Sequence, residues 1–81
     1  MNVIDNVCLY FREGNSDKVY IVKIQLDTSG YHVYFEYGRR YSTVTTGFKN
    51  SKPLSKEEAL VMAEKLIFSK MTKGYKIAQS L

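Results

Sequence analysis

The segment Lys18–Tyr37, KVYIVKIQLDTSGYHVYFEY, decides the fold of this chain. Every even position of Lys18–Leu26 beyond Lys18 is apolar, and every odd position of Tyr31–Tyr37 is aromatic or valine. Successive side chains of a strand point to opposite faces, so both patterns predict β-strands. Residues 27–30, Asp-Thr-Ser-Gly, form a turn sequence in which Gly30 is free to take a positive φ. The segment therefore predicts two neighbouring strands with one apolar face each.

Two further strands are predicted on either side of this pair. Val7–Glu13 is a β-branched and aromatic run closed by the turn formers of residues 14–17. Tyr41–Lys49 is rich in Thr and Val and follows Gly38-Arg39-Arg40, which is expected to interrupt the third strand. Short connections between sequential strands favour an antiparallel meander.

The last third of the chain predicts one helix, from about residue 56 to about residue 72. Ser55 and Glu58 have the spacing of a capping box, and Gly74 is the expected left-handed C-cap. One stripe of the helix is apolar and is predicted to cover the sheet; it comprises Ala59, Leu60, Ala63, Leu66 and Ile67, with Met62 and Met71 at its edges. A short terminal strand is expected over residues 75–77. The fold class is thus α+β, an antiparallel sheet of four to five strands within about residues 6–49 and the terminus, with one C-terminal helix packed across it.

Val61 and Phe68 fall on the far side of this helix. Either they form a small patch under the C-terminal tail, which is the favoured interpretation, or they contact another molecule.

Composition limits the function classes. The 81 residues suffice for a single domain, 1–81, and carry 12 Lys+Arg against 8 Asp+Glu, a formal net charge of +4. This balance fits an acidic partner such as nucleic acid and equally fits a soluble protein that is basic by composition. The N-terminus lacks the pattern of a signal peptide, and no apolar run approaches membrane-spanning length, so a cytoplasmic protein without membrane contact is expected.

No catalytic constellation is evident in the sequence. Cys8 and His32 are single residues of their type and lie far apart, which does not meet the ligand number of a metal site or the pairing of nucleophile and base. No glycine-rich phosphate loop follows a strand and opens a helix. A non-enzymatic protein is expected, with no metal, no cofactor and no small-molecule substrate.

The segment Tyr37-Gly38-Arg39-Arg40-Tyr41 is the candidate binding site for nucleic acid, DNA or RNA. Tyrosine stacks on bases or sugars, glycine permits close approach of a backbone, and arginine forms bidentate bonds to phosphate. Lys49 and Lys52 lie just beyond the next predicted strand and extend the positive charge. The competing interpretation is a turn with solvated arginines and a half-buried Tyr37.

The order of these signals resembles the WGR domain, which is named for a Trp-Gly-Arg triplet. The residues that carry the resemblance span nearly the whole chain: Leu9-Tyr10-Phe11, Gly14–Tyr20, Gln25-Leu26, Tyr31-His32-Val33, Tyr37-Gly38-Arg39, Ser42-Thr43, Thr46-Gly47, Lys52-Pro53-Leu54, Glu57-Glu58-Ala59 and Lys73–Lys76. Two positions depart from the family pattern. Tyr37 replaces the tryptophan, and Tyr41 replaces a glycine that often follows the triplet.

The resemblance implies a non-catalytic module of bacterial type that contacts nucleic-acid backbone or ends without strong sequence specificity. In poly(ADP-ribose) polymerases, where such domains also occur, the aromatic ring of the triplet packs on a terminal nucleotide and its arginine mediates contacts within the assembly. Carried over, Tyr37 would stack, Gly38 would permit close approach, and Arg39 would contact phosphate or a partner. The alternative is a protein-interaction or regulatory module that uses aromatic and apolar surface.

Overall fold

The computed structural model describes residues 2–80, which form a five-stranded sheet and one helix. The elements are β1 (Asn2–Glu13), β2 (Ser16–Asp27), β3 (Gly30–Arg39), β4 (Thr45–Phe48), α1 (Lys56–Met71) and β5 (Lys76–Ser80). The strand order is β4-β3-β2-β1-β5, and all neighbouring strands are antiparallel. The predicted α+β meander with one C-terminal helix is confirmed, and the expected terminal strand is β5 at the sheet edge.

The alternation of β2 and β3 assigns one face of each strand to the core. The two strands pair from Lys18 opposite Arg39 to Asp27 opposite Gly30 without an irregularity. Unbroken register places Ile24 opposite Val33 at the middle of the core and Tyr20 opposite Tyr37 near one end. A shift by one residue would turn these apolar side chains to the other face, so burial determines the register.

Helix α1 covers the core face of β2 and β3. Its buried residues are Ala59, Ala63 and Leu66, and the two alanines leave room for the helix to approach the strands closely. Leu9 and Val33 are fully buried beneath it. Burying a side chain of this kind contributes about 1.5–3 kcal/mol relative to its exposed state. Buried residues from β1, β2, β3 and α1 form this core: Leu9, Tyr20, Val22, Ile24, Val33, Ala59, Ala63 and Leu66.

The start of α1 confirms the capping box. The Glu58 N–H donates to Ser55 Oγ (3.2 Å), and the Ser55 N–H donates to Glu58 Oε1 (2.9 Å). Hydrogen bonds from Ser55 also hold the pKa of the Glu58 carboxyl below its usual range. A cap of this type stabilises a helix by about 1 kcal/mol.

Several strand boundaries differ from the prediction: β5 covers Lys76–Ser80 instead of residues 75–77, and β1, β3 and β4 also differ. β1 begins at Asn2, because its first residues continue the ladder with the far end of β2. β3 is not interrupted at Gly38, since Gly38 and Arg39 pair with Val19 and Lys18. β4 is limited to Thr45–Phe48 because a turn precedes it, in which the Ser42 N–H donates to the Arg39 carbonyl (3.1 Å).

The outer face of α1 is uncovered, so the expectation that the C-terminal tail lies over Val61 and Phe68 is wrong. Val61 is 49% exposed and Phe68 is 68% exposed. The tail instead adds β5 to β1, at the edge of the sheet. Within residues 2–80, no helix is long and apolar enough to cross a bilayer.

Candidate nucleic-acid interface

A cleft of about 820 Å³ opens between the last residues of β3, the first residues of β2 and the C-terminal end of α1. Five cationic side chains, five aromatic side chains, a serine and a glycine line it: Lys18, Arg39, Lys49, Lys70 and Lys73; Phe11, Tyr20, Phe35, Tyr37 and Tyr75; Ser16 and Gly38. No carboxylate belongs to this lining within the described part of the chain. The cleft therefore combines a positively charged lining with flat apolar surface.

Stacked rings form the floor of the cleft. The rings of Tyr20 and Tyr37, from paired positions of β2 and β3, are nearly parallel, with centroids 5.6 Å apart and 11° between their planes. The ring of Phe35 stacks on both, at 6.1 Å from Tyr20 and 5.9 Å from Tyr37. Tyr20 is buried, whereas Tyr37 is 42% exposed. Tyr37 is thus the ring of this stack that a ligand can reach.

Two lysine ammonium groups stand over this floor. Lys70 Nζ lies 4.5 Å from the ring centroid of Tyr20, and Lys49 Nζ lies 5.6 Å from that of Phe35. Burial, then the charges of Lys73 and Lys49, lower the pKa of Lys70 from its ordinary value. Burial also raises the pKa of the Tyr20 phenol, which therefore supplies no negative charge at neutral pH. The ammonium group of Lys70 is therefore repelled by those of Lys73 and Lys49, and a bound anion would offset this repulsion.

The end of α1 brings Lys70, Lys73 and Tyr75 to this position. The Lys70 carbonyl accepts hydrogen bonds from the N–H groups of Lys73 (3.0 Å) and Tyr75 (3.1 Å), which reverses the chain. Gly74 has φ 105°, and a Cβ there would lie 2.9 Å from the ring of Phe11. Gly74 lies two residues beyond the C-cap Thr72, and its lack of a side chain lets the Tyr75 ring pack on Phe11 with centroids 5.6 Å apart.

The two arginines of the candidate segment have different surroundings. Arg39 lines the cleft, and its Nη1 donates to the Asn15 carbonyl (3.0 Å). Arg40 lies outside the lining and is paired with Asp17, its Nε donating to Oδ1 at 2.9 Å. The Arg40 hydrogen bond, with the charges of Arg12 and Arg39, holds the pKa of Asp17 below its usual range. Both arginines belong to the segment that the sequence predicts as the binding site, whereas the structure directs only Arg39 to the cleft.

Gly38 lines the cleft, but the close approach that it permits is to its own chain. A Cβ at this position would lie 3.1 Å from the Thr43 carbonyl oxygen and 3.3 Å from the Val44 Cα. The glycine therefore lets the segment before β4 pass close to the end of β3. This contact explains structurally why position 38 is a glycine, which the sequence did not indicate.

Lys49 and Lys52 are separated by the loop between β4 and α1. Lys49 follows β4 and reaches the cleft. Lys52 lies near the opposite end of β3, where Asn50 Nδ2 donates to its carbonyl (2.8 Å) and Leu54 bridges to Tyr31. Of the seven predicted site residues, the structure brings together Tyr37, Gly38, Arg39 and Lys49, and leaves Arg40, Tyr41 and Lys52 outside.

Sequence reasoning missed the residues that α1 and β2 contribute. Lys70 lies in the last turn of α1 and Lys73 just beyond it, where basic residues complement the negative end of the helix dipole, so no ligand is needed to explain them. The sequence assigned Lys18 and Tyr20 only to a strand and Tyr75 only to a short terminal segment, so it indicated no binding role for them. Only a three-dimensional arrangement places them beside Tyr37. Within residues 2–80, no three His, Cys, Asp or Glu side chains group as metal ligands do.

The chain was compared with models of known protein families. The model of the WGR domain matches residues 5–80, which is essentially the whole chain. This chain belongs to the WGR domain family. The family comprises small nucleic-acid-binding modules. No curated protein and no solved structure matched the chain.

Proposed function

We propose that this WGR domain binds nucleic acid through the cleft, by contacts to phosphates and to an exposed base or sugar, without strong sequence specificity. The observation that carries the proposal is the lining of the cleft, in which the described residues contribute five cations, a stack of aromatic rings and no carboxylate. Phosphate contacts provide sequence-independent affinity, and aromatic stacking tolerates any base.

The cations are arranged for a phosphate backbone. Lys70 and Lys49 lie over the rings of Tyr20 and Phe35. Lys73 and Arg39 line the same cleft. Bound phosphates would offset the repulsion of Lys70 by Lys73 and Lys49, which costs free energy in the unbound domain. Arginine can hold one phosphate with two hydrogen bonds, whereas a lysine acts as a point charge. Arg39 would therefore orient the strand, and the lysines would supply most of the salt-dependent affinity.

The exposed ring of Tyr37 provides the non-ionic contact. Tyr20 and Phe35 hold this ring in place, so little side-chain entropy remains to be lost on binding. The ring has a smaller area than the indole of the family triplet but keeps a planar apolar face.

The test is direct binding of labelled single-stranded DNA, double-stranded DNA and RNA at several salt concentrations. The double substitution Lys70→Gln/Lys73→Gln should weaken binding at moderate salt by about tenfold or more. It should also reduce the slope of log K against log salt, by about 1.4 for a single strand if both lysines contact phosphates. The matched control is Lys52→Gln, which removes one positive charge at the other end of β3.

The result distinguishes binding by the cleft from binding by net charge. Equal losses for the cleft substitutions and for Lys52→Gln, after allowing for charge, would mean that net charge and not the cleft governs binding. No binding by the wild-type chain at low salt would refute the proposal.

A second candidate function is protein interaction through the outer face of α1. The observation that favours it is the exposure of Val61 and Phe68, which are seven residues apart on this face. Exposed aromatic residues are common at protein interfaces. If Phe68→Ser left self-association and partner capture unchanged, this function would lose its support.

A further inference from the structure

Tyr41 has an unusual backbone conformation for its residue type. It lies in the turn from Arg39 to Ser42, which a hydrogen bond from the Ser42 N–H to the Arg39 carbonyl closes (3.1 Å). Tyr41 is the third residue of this turn and has φ 62°. Turns with a positive φ at the third position take glycine or asparagine there, because a Cβ is crowded in this conformation. Tyr41 is the only non-glycine residue with a positive φ among the described residues.

Among the described residues, apolar packing does not offset this backbone cost; the Tyr41 side chain interacts with the adjacent Arg40 side chain but leaves its ring in solvent. The Tyr41 residue is 97% exposed, so its ring buries almost no apolar surface. Glycine at this position would satisfy the turn and expose no aromatic ring. A strained residue that contributes nothing to packing is a candidate for a role outside folding.

The turn presents this ring on a fixed support beside the cleft. Arg40 anchors the turn to β2 twice, by its N–H to the Asp17 carbonyl (2.9 Å) and by its guanidinium to the Asp17 carboxylate (2.9 Å). Arg39, at the start of the same turn, lines the cleft. The chain between the Cα atoms of Tyr37 and Tyr41 spans at most about 14 Å. Tyr41 is therefore within the reach of a strand that occupies the cleft.

We propose that Tyr41 is a second aromatic contact of the site and stacks on an unpaired base next to the nucleotide bound at Tyr37. The inference rests on the function proposed above and specifies its ligand as a nucleic acid with an unpaired stretch. Bases inside a duplex are covered on both faces by their neighbours, whereas an unpaired base offers a face to a side chain. Tyr37 and Tyr41, with Arg39 between them in the chain, can hold two bases and the phosphate that links them.

The test compares Tyr41→Gly and Tyr41→Phe with the wild-type chain. Dissociation constants are measured for a single-stranded oligonucleotide and for a fully paired, blunt-ended duplex, and thermal unfolding is followed for each variant. Tyr41→Gly should unfold at or above the wild-type temperature, because glycine fits the turn. It should bind the single strand about fivefold or more weakly and the duplex within twofold of wild type. Tyr41→Phe retains the ring and should bind the single strand within twofold of wild type.

The other possible results would contradict the proposal in different ways. If Tyr41→Gly binds the single strand as the wild type does, the proposed role of Tyr41 is wrong, and the proposed function of the cleft stands. If Tyr41→Gly weakens both ligands equally, the preference for an unpaired base is wrong. Failure of the wild-type chain to bind any nucleic acid at low salt refutes the proposed function and the role of Tyr41 together.

Discussion

The two ends of β3 contrast in how their hydrogen-bonding groups and charges are used. At the first end, the loop after β4 covers the strand: the Val33 N–H donates to Asn50 Oδ1 (2.8 Å), and Tyr31 exchanges backbone hydrogen bonds with Leu54 (3.0 and 2.9 Å). At the last end, Tyr37 and Arg39 line an open cleft together with four lysines. One end of the strand is therefore closed by a loop of the same chain, and the other end is open beside cations, with no carboxylate among the described lining residues.

This difference separates residues that stabilise the fold from residues that are available for a ligand. A polar group that already has a protein partner gains little free energy from contact with a ligand. A cation without a carboxylate partner gains more from an anionic ligand. Lys52 at the closed end and Lys49 at the open end are three residues apart in sequence, yet only Lys49 lines the cleft. Substitutions at the open end should change binding, and substitutions at the closed end should change stability.

The largest expected effect is at the open end. Tyr37→Ala removes the exposed ring and should weaken nucleic-acid binding by about 1–3 kcal/mol, the usual contribution of one stacked base. Titration of a labelled single strand measures the change. Tyr34→Ala, on the opposite face of the same strand, is the matched control and should bind as the wild type does. A loss in the control as large as that for Tyr37→Ala would remove the distinction between the two faces.

An intermediate effect is expected at the closed end. Asn50→Ala leaves the Val33 N–H and the Lys52 carbonyl without their side-chain partner. The free energy of unfolding should fall by about 1–2 kcal/mol, as for the loss of a partly buried hydrogen-bonded group. Denaturant unfolding measures this change. Nucleic-acid binding at low temperature should stay within twofold of wild type, and a larger loss would show that the two ends are coupled.

The smallest effect, also at the closed end, depends on pH. Hydrogen bonds from Ser29, with a further contribution from His32, lower the pKa of the Asp27 carboxyl from 3.8 to about 2. A depressed carboxyl pKa stabilises the folded state at pH values above the unfolded pKa, and this contribution is lost as the pH falls toward the folded pKa. The stability difference between wild type and Asp27→Asn should therefore be full near pH 5 and shrink toward pH 2. Denaturant unfolding at pH 2, 3, 4 and 5 measures it, and a difference independent of pH would contradict the assignment.

Local patterns predicted most of the fold because each one acts over a few residues. The alternation in Lys18–Tyr37 depends on which face a side chain takes, and the Ser55–Glu58 box depends on one helical turn. Strand ends were predicted less well. Gly38 was expected to interrupt β3, but pairing with Val19 carries the strand on, and only the partner strand could reveal this.

The candidate site was predicted in part for the same reason. Tyr37, Gly38 and Arg39 are contiguous, so the sequence could single them out. Lys70 and Lys73 lie more than thirty positions away along the chain and reach the cleft because α1 crosses the sheet and reverses at Gly74. No local pattern distinguishes a lysine that ends over a tyrosine ring from one that faces solvent.

The sequence by itself determined the order of the strands and the helix, the helix cap and the segment at which the site begins. Periodicity, turn chemistry and capping are short-range properties, so the printed residues are enough to determine them. The tertiary structure alone decided which charges face a ligand. It directed Arg40 to Asp17 and Arg39 to the cleft, and it gathered lysines from three separate segments over one stack of rings. The pairing of charges and the meeting of side chains from different segments depend on distances between residues remote in sequence. Only the packed chain sets those distances.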